Sequence, residues 1–139
     1  ANAISAGPIK TLAASGIGDF GKRLHETDDA TWAKVLDINL TGVFRMTRAA
    51  IPELIKAGGG SIVNISTVAS LIGIRGLSAY AASKSAINGF SRSVAREYGS
   101  RNIRCNVVAP GYVRTAVTED RSTRARRWPS RCSRLIATP

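Results

Sequence analysis

Apolar residues first fall into a clear rhythm after Thr27. Trp32, Val35, Leu36, Leu40, Val43, Phe44, Thr47, Ile51, Leu54 and Ile55 recur at three- and four-residue steps, the spacing that lines one face of a helix. Thr27 reads as the N-cap, with Asp28 and Asp29 favourably placed in the first turn. The pattern predicts one long helix, about 29 to 57, stopped by Gly58-Gly59-Gly60. Ser61-Ile-Val-Asn-Ile-Ser66 then reads as a short buried strand. After a loop carrying Gly73 and Gly76, Ala81, Ala82, Ala86, Phe90, Val94 and Ala95 mark a second helix, Ser78 to Tyr98, ending at Gly99. Ile103-Arg-Cys-Asn-Val-Val108 is the next expected strand, closed by Pro110-Gly111.

Helix, strand, helix, strand implies parallel strands joined by helical crossovers, an α/β layered architecture. In such sheets ligands bind beyond the carboxyl ends of the strands. Thr67 follows one strand, Pro110 and Gly111 follow the other, and Tyr80 lies just inside the second helix, so all of them are expected on one rim.

Composition narrows the class. The 139 residues can form one modest core. No apolar run is long enough to span a bilayer, and the N-terminus lacks the basic-then-apolar order of a signal peptide, which makes the cytoplasm the expected compartment. Cys105 and Cys132 have no CxxC spacing and His25 is the only histidine, so neither a disulfide framework nor a metal site is supported. Cys105 is expected in the core and His25 in solvent. The net charge of +11 is concentrated at one end: Arg121, Arg124, Arg126, Arg127, Arg131 and Arg134 lie within 121–139, and without these six the balance is +5. That stretch, rich in Arg, Ser, Thr and Pro, reads as a disordered tail. A polyanion-binding role through it ranks below the alternatives that follow.

Tyr80-Ala-Ala-Ser-Lys84 carries the chemistry. A four-residue step puts the phenol and the ammonium on the same helix face. A phenol, with a reference pKa of about 10, is a poor acid or base near neutral pH. An ammonium about 6 Å away, at an effective dielectric of about 20, favours the ionised phenol by roughly 2.8 kcal/mol, which brings proton transfer within reach. Alone, a Tyr-Lys step of this kind is common on helices.

The context is more specific. Asp37-Ile-Asn-Leu-Thr-Gly42, Gly60-Ser-Ile-Val-Asn-Ile-Ser66, Tyr80-Ala-Ala-Ser-Lys84 and Asn106-Val-Val-Ala-Pro-Gly-Tyr-Val-Arg-Thr115 together resemble, in order and spacing, the short-chain dehydrogenase/reductase family. The similarity runs over about Glu26 to Asp120 and is nearest to its 3-oxoacyl-acyl-carrier-protein reductases. It implies an α/β, Rossmann-like fold, a doubly wound parallel sheet in three layers, incomplete here because the N-terminal nucleotide-binding half is missing. It also implies NAD or NADP as cofactor, hydride transfer between a carbonyl and a secondary alcohol, and a substrate that could be linked to acyl carrier protein, as in fatty acid biosynthesis. By the same resemblance Tyr80 donates or accepts the proton, Lys84 assists it and holds the nicotinamide ribose, and Asn39 holds a water behind the lysine. Pro110, Gly111, Val113 and Thr115 would form the loop that meets the nicotinamide carboxamide. The family's catalytic serine falls at Thr67, where the hydroxyl survives and an added methyl restricts its rotamer; a reduced rate is expected from this change.

Two further features depart from the family. The glycine-rich turn that receives the cofactor pyrophosphate is not found; Gly16-Ile-Gly18 follows Leu12-Ala-Ala-Ser15 rather than a buried strand and lacks the third glycine. In addition, Asn2-Ala-Ile-Ser-Ala-Gly-Pro-Ile-Lys-Thr11 parallels Asn106 to Thr115, and Asn2 to about Gly21 resembles the late segment of enoyl-acyl-carrier-protein reductases. The expected organisation is therefore composite: 1–23 enoyl-reductase-like, 24–120 a partial reductase domain, and 121–139 a tail read from a shifted frame. Little or no turnover is expected of such a chain. The competing expectation is a catalytically inactive fragment whose two long helices, as in the resembling family, pair with their copies in a homo-oligomer.

Overall fold

A computed structural model describes residues 10–12 and 16–111. Val113 and Thr115, the arginine-rich 121–139 stretch and most of the Asn2–Thr11 repeat lie outside the described residues. Three parallel strands, β1 (Lys10–Leu12), β2 (Gly60–Ile65) and β3 (Ile103–Val108), form one sheet in the order β1-β2-β3. The register runs from Lys10 opposite Ile62 to Leu12 opposite Asn64, and from Gly60 opposite Ile103 to Ile65 opposite Val108. The crossover from β1 to β2 holds α1 (Asp29–Leu36) and α2 (Gly42–Lys56); the one from β2 to β3 holds the short α3 (Ala69–Ile72) and the long α4 (Ser78–Tyr98). This is part of a Rossmann-like, doubly wound α/β fold.

The core lies where α2 and α4 meet the sheet. Ile51 and Leu54 of α2 and Val94 of α4 pack against Ile62, Ile103 and Cys105, flanked by Phe90, Ala95 and Tyr98. Each buried Ile, Leu or Val among them contributes roughly 1.5–3 kcal/mol. Alternation does the sorting on β3: Ile103 and Cys105 are buried while Arg104 and Asn106 are exposed. Cys105 thus sits in the core and His25 in solvent, both as the composition suggests.

Four local features differ from the pattern reading. A strand, β1, precedes Gly16 where none was expected; its three residues carry no periodicity of their own and join the sheet by pairing with β2. Asp28, not Thr27, caps α1, its carboxylate accepting the Thr31 N–H at 2.6 Å. The long helix is interrupted by a π-helical turn, Asp37–Thr41, in which the Gly42 N–H bonds back to the Asp37 carbonyl. The extra residue in that wider turn re-aims the side chains within it, and Asn39 is the one turned wholly inward. The loop after β2 contains α3, closed by Gly73 at φ 67°.

The turns opposite the rim are joined to each other. Gly59 at φ 135° lies so close to Asn102 that a Cβ there would fall 2.6 Å from its carbonyl oxygen, and the Gly60 N–H donates to that oxygen at 2.9 Å. This clasp sets the start of β2 against the start of β3.

Candidate active site

At the carboxyl end of the sheet the strand ladder continues past both strand ends. The Ser66 N–H donates to the Val108 carbonyl at 2.8 Å and the Val68 N–H to the Pro110 carbonyl at 2.9 Å, which sets Thr67 beside Pro110. Thr67 is half-buried and its hydroxyl accepts weakly from the Ala69 N–H at 3.4 Å. Ser66, its neighbour, is turned inward and donates to the Lys84 carbonyl at 2.9 Å. The alternation of β2 therefore separates these two hydroxyls: Ser66 docks α4 onto the strand, and Thr67 stays at the rim.

α4 presents Tyr80 and Lys84 to the same rim. Lys84 is 3% exposed, and its ammonium donates to the Ile65 carbonyl, the last of β2, at 3.1 Å. It lies 5.9 Å from the centre of the Tyr80 ring, so the four-residue step does bring ammonium and phenol to one side. Burial pushes the Lys84 pKa down, since desolvation disfavours the charged form. An ammonium has three N–H donors, and Ile65 takes one.

Asn39 reaches the same cluster from the π turn. It is wholly buried; its amide donates to the Ile17 carbonyl at 2.8 Å and to Ser83 Oγ at 3.0 Å, while its carbonyl accepts the Ile17 N–H at 3.0 Å. Ser83 Oγ in turn donates to the Tyr80 carbonyl at 2.7 Å. Gly16 is wedged between Asn39 and the lysine stem: an added Cβ would lie 2.7 Å from Asn39 Oδ1 and 3.1 Å from Lys84 Cε. The Gly16-Ile-Gly18 stretch is accordingly occupied with Asn39 and Lys84, and the Ile17 amide is not available to a phosphate.

Asn39 is thus linked through Ser83 to the Tyr80 carbonyl, while Lys84 approaches the Tyr80 ring without a side-chain hydrogen bond to either, and Thr67 and Pro110 share the rim without a hydrogen bond to Tyr80 among the described residues. Gly111 is exposed just beyond Pro110. Gly16, Ile17, Asp19 and Phe20 also belong to the site and escape motif reasoning, because they act across 22 to 61 residues of sequence. One signal was readable: Leu77, at the N-cap of α4, has no capping side chain, so the first turn must find its acceptor elsewhere.

The three parallel strands and their helical crossovers form a partial Rossmann-like α/β scaffold, and the comparisons with known proteins agree. Residues 4–126 match the short chain dehydrogenase family; the chain belongs to that family. It is 43% identical over 104 residues to the 3-oxoacyl-[acyl-carrier-protein] reductase of Thermotoga maritima, covering 75% of this chain and 41% of the relative. Cyclohexanol dehydrogenase of an Acinetobacter species is 38% identical over 107 residues, covering 75% and 42%. Among solved structures, a 4-hydroxyisoleucine dehydrogenase mutant complexed with NADH and succinate superposes with a TM-score of 0.77 at 34% identity, covering 83% of this chain and 47% of that one. The chain spans about two-fifths of the length of the curated relatives it matches. Among the described residues no helix is long and apolar enough to cross a membrane.

Proposed function

We propose that this chain carries the proton-transfer half of an NAD(P)-dependent carbonyl/alcohol oxidoreductase. The observation that carries the reading is the Lys84 ammonium, buried, fixed to the Ile65 carbonyl and 5.9 Å from the Tyr80 ring. Tyr80 gives its hydroxyl proton to the substrate oxygen in reduction and takes it back in oxidation. Lys84 stabilises the phenolate by its charge. Thr67 orients the carbonyl by a hydrogen bond from its hydroxyl. Asn39 holds the segment that flanks the lysine.

The donor set suits a nicotinamide riboside: the Lys84 ammonium has donors beyond the one given to Ile65, and Thr67 lies at the same strand ends as Pro110. Bound there, the cofactor supplies or accepts the hydride. Lys84 would hold its ribose hydroxyls, and Pro110, Gly111, Val113 and Thr115 its carboxamide side. Relatives that act on 3-oxoacyl carrier proteins make a 3-oxoacyl thioester the favoured substrate, with fatty acid biosynthesis as the setting and the cytoplasm as the compartment. Residues 1–23, 24–120 and 121–139 remain our proposed divisions.

The test is oxidation of NADH and NADPH, followed by absorbance, with an acetoacetyl thioester. Turnover that Tyr80→Phe abolishes without changing thermal stability supports the proposal; Tyr80→Phe with undiminished turnover refutes it.

A second reading rests on the outer face of α2 and α4. Phe44 is 41% exposed, packs edge-on to Phe90 at 6.3 Å and lies under the Arg48 guanidinium. Together with Ile51, Val94 and Tyr98 these residues line a groove of about 300 Å³. Such a surface suits pairing with a second copy of the chain. Light scattering that finds a dimer, with no turnover, would favour an inactive assembly fragment; a strict monomer removes this reading.

A further inference from the structure

α4 begins without a cap of its own, and the acceptor for its first turn arrives from far upstream. Asp19 is 3% exposed. One of its carboxylate oxygens accepts from the Ala79 N–H at 3.0 Å and from Ser78 Oγ at 3.3 Å; the other accepts from the Tyr80 N–H at 3.1 Å. These amides belong to the first helical turn, where no intrahelical acceptor exists. A carboxylate there is further favoured by the positive end of the helix dipole. Burying the charge is tolerable because each oxygen is met by a donor.

The neighbours of Asp19 tie the same two segments together. The Gly21 N–H donates to the Gly76 carbonyl at 3.0 Å, and the backbones touch so closely that a Cβ on Gly76 would lie 3.2 Å from Gly21 Cα. Phe20 sets its ring 6.1 Å from that of Tyr80, tilted by 36°. Gly18 leaves room for that ring, since a Cβ there would fall 2.8 Å from it.

We propose that Asp19 is a positioning residue for proton transfer: its carboxylate fixes the first turn of α4, and through the Tyr80 backbone it fixes where the phenol stands relative to Lys84. The inference rests on the oxidoreductase reading for its consequence, though not for the anchoring itself. No local feature assigns this role, because the acid lies 59 to 61 residues from its partners. Two oxygens serving two backbone amides also make the site selective for a carboxylate. An asparagine retains a single acceptor and can satisfy only one of them.

The test is amide hydrogen exchange by NMR on the wild-type chain, Asp19→Ala and Asp19→Asn. Asp19→Ala should raise exchange at Ala79 and Tyr80 at least tenfold relative to Ile87 and Ile103, and Asp19→Asn should do so at one of the two. If Asp19→Ala does not fold, Asp19→Asn carries the test. Unchanged exchange at both amides, or a rise shared equally by Ile87 and Ile103, overturns the proposal. In parallel, turnover should fall at least tenfold through kcat with KM little changed, and the asparagine variant should lie between. Preserved kcat in a variant whose Tyr80 amide has been released also overturns it. A wild-type chain with no turnover instead favours the inactive-fragment reading, and the exchange pattern by itself then decides whether Asp19 anchors the helix.

Discussion

Replacing Asn39 by alanine should be among the most damaging single changes in this chain, although it removes no apolar side chain. The side chain is wholly buried and satisfies both the N–H and the carbonyl of Ile17. Truncation leaves those two backbone groups without partners, at about 1–3 kcal/mol each. Ile17 is half-buried, so water can reach it in part and the lower half of that range applies. Ser83 loses one donor but keeps its bond to the Tyr80 carbonyl, which adds little. With the space left by the amide, the expected loss is about 3–5 kcal/mol, a large share of the roughly 5–15 kcal/mol that holds a domain folded. Urea denaturation measures it: with a slope near 2 kcal/mol/M, the midpoint should fall by roughly 2 M. Asn39→Asp separates hydrogen bonding from volume. It keeps an acceptor for the Ile17 N–H but sets a second oxygen against the Ile17 carbonyl, which now receives a hydrogen bond at 2.8 Å, so at neutral pH it should be no better than alanine. A midpoint shift under about 0.5 M for Asn39→Ala, or an aspartate variant as stable as wild type, would refute the reasoning.

Gly16→Ala should destabilise the chain and disturb Lys84 in the same stroke, because the new methyl would lie 2.7 Å from Asn39 Oδ1 and 3.1 Å from Lys84 Cε; thermal unfolding reads the first effect and nicotinamide-cofactor affinity the second. In acid, Asp28 should contribute a stability loss of its own. Its carboxyl is held well below the usual range by the Thr31 N–H and by Lys22, so the contribution is complete above about pH 4 and disappears as pH falls through the native value. Asp28→Ala should therefore flatten that part of the stability-versus-pH curve. Lys84 should act at the other end. Its native pKa is lowered by burial, so the folded chain releases this proton before the unfolded one does, and stability relative to Lys84→Met should rise as pH climbs from the native value toward about 10.4; a difference that stays flat with pH would count against the burial of the charge.

How much of the site could be read in the sequence depended on distance along the chain. Tyr80 and Lys84 share a helix face by a four-residue step, and the prediction that they meet needed only helical periodicity. Thr67 and Pro110 follow strands whose burial pattern was legible, so their common rim followed from parallel topology. Asn39 was recognisable by resemblance, yet its bonds to Ile17 depend on a π turn that the apolar spacing concealed: one inserted residue hardly alters a pattern read at three- and four-residue steps. The glycines at 16 and 18 resembled a fragment of a phosphate-binding motif; in the fold, Gly16 makes room for Asn39 and Lys84 and Gly18 for the Phe20 ring.

The sequence by itself determined β2, β3 and the two long helical stretches, their order, the parallel α/β class and the Tyr80–Lys84 pair, since these follow from the periodicity of neighbouring residues and from the residues that end a helix or strand. Only the tertiary structure decided that Lys10–Leu12 joins the sheet, that Ser66 faces inward while Thr67 stays at the rim, and that Asp19 serves as the cap of α4. Such assignments depend on which hydrogen-bond partner a group finds after distant segments pack together. A buried donor must find an acceptor somewhere, but local sequence does not say where the chain will bring one.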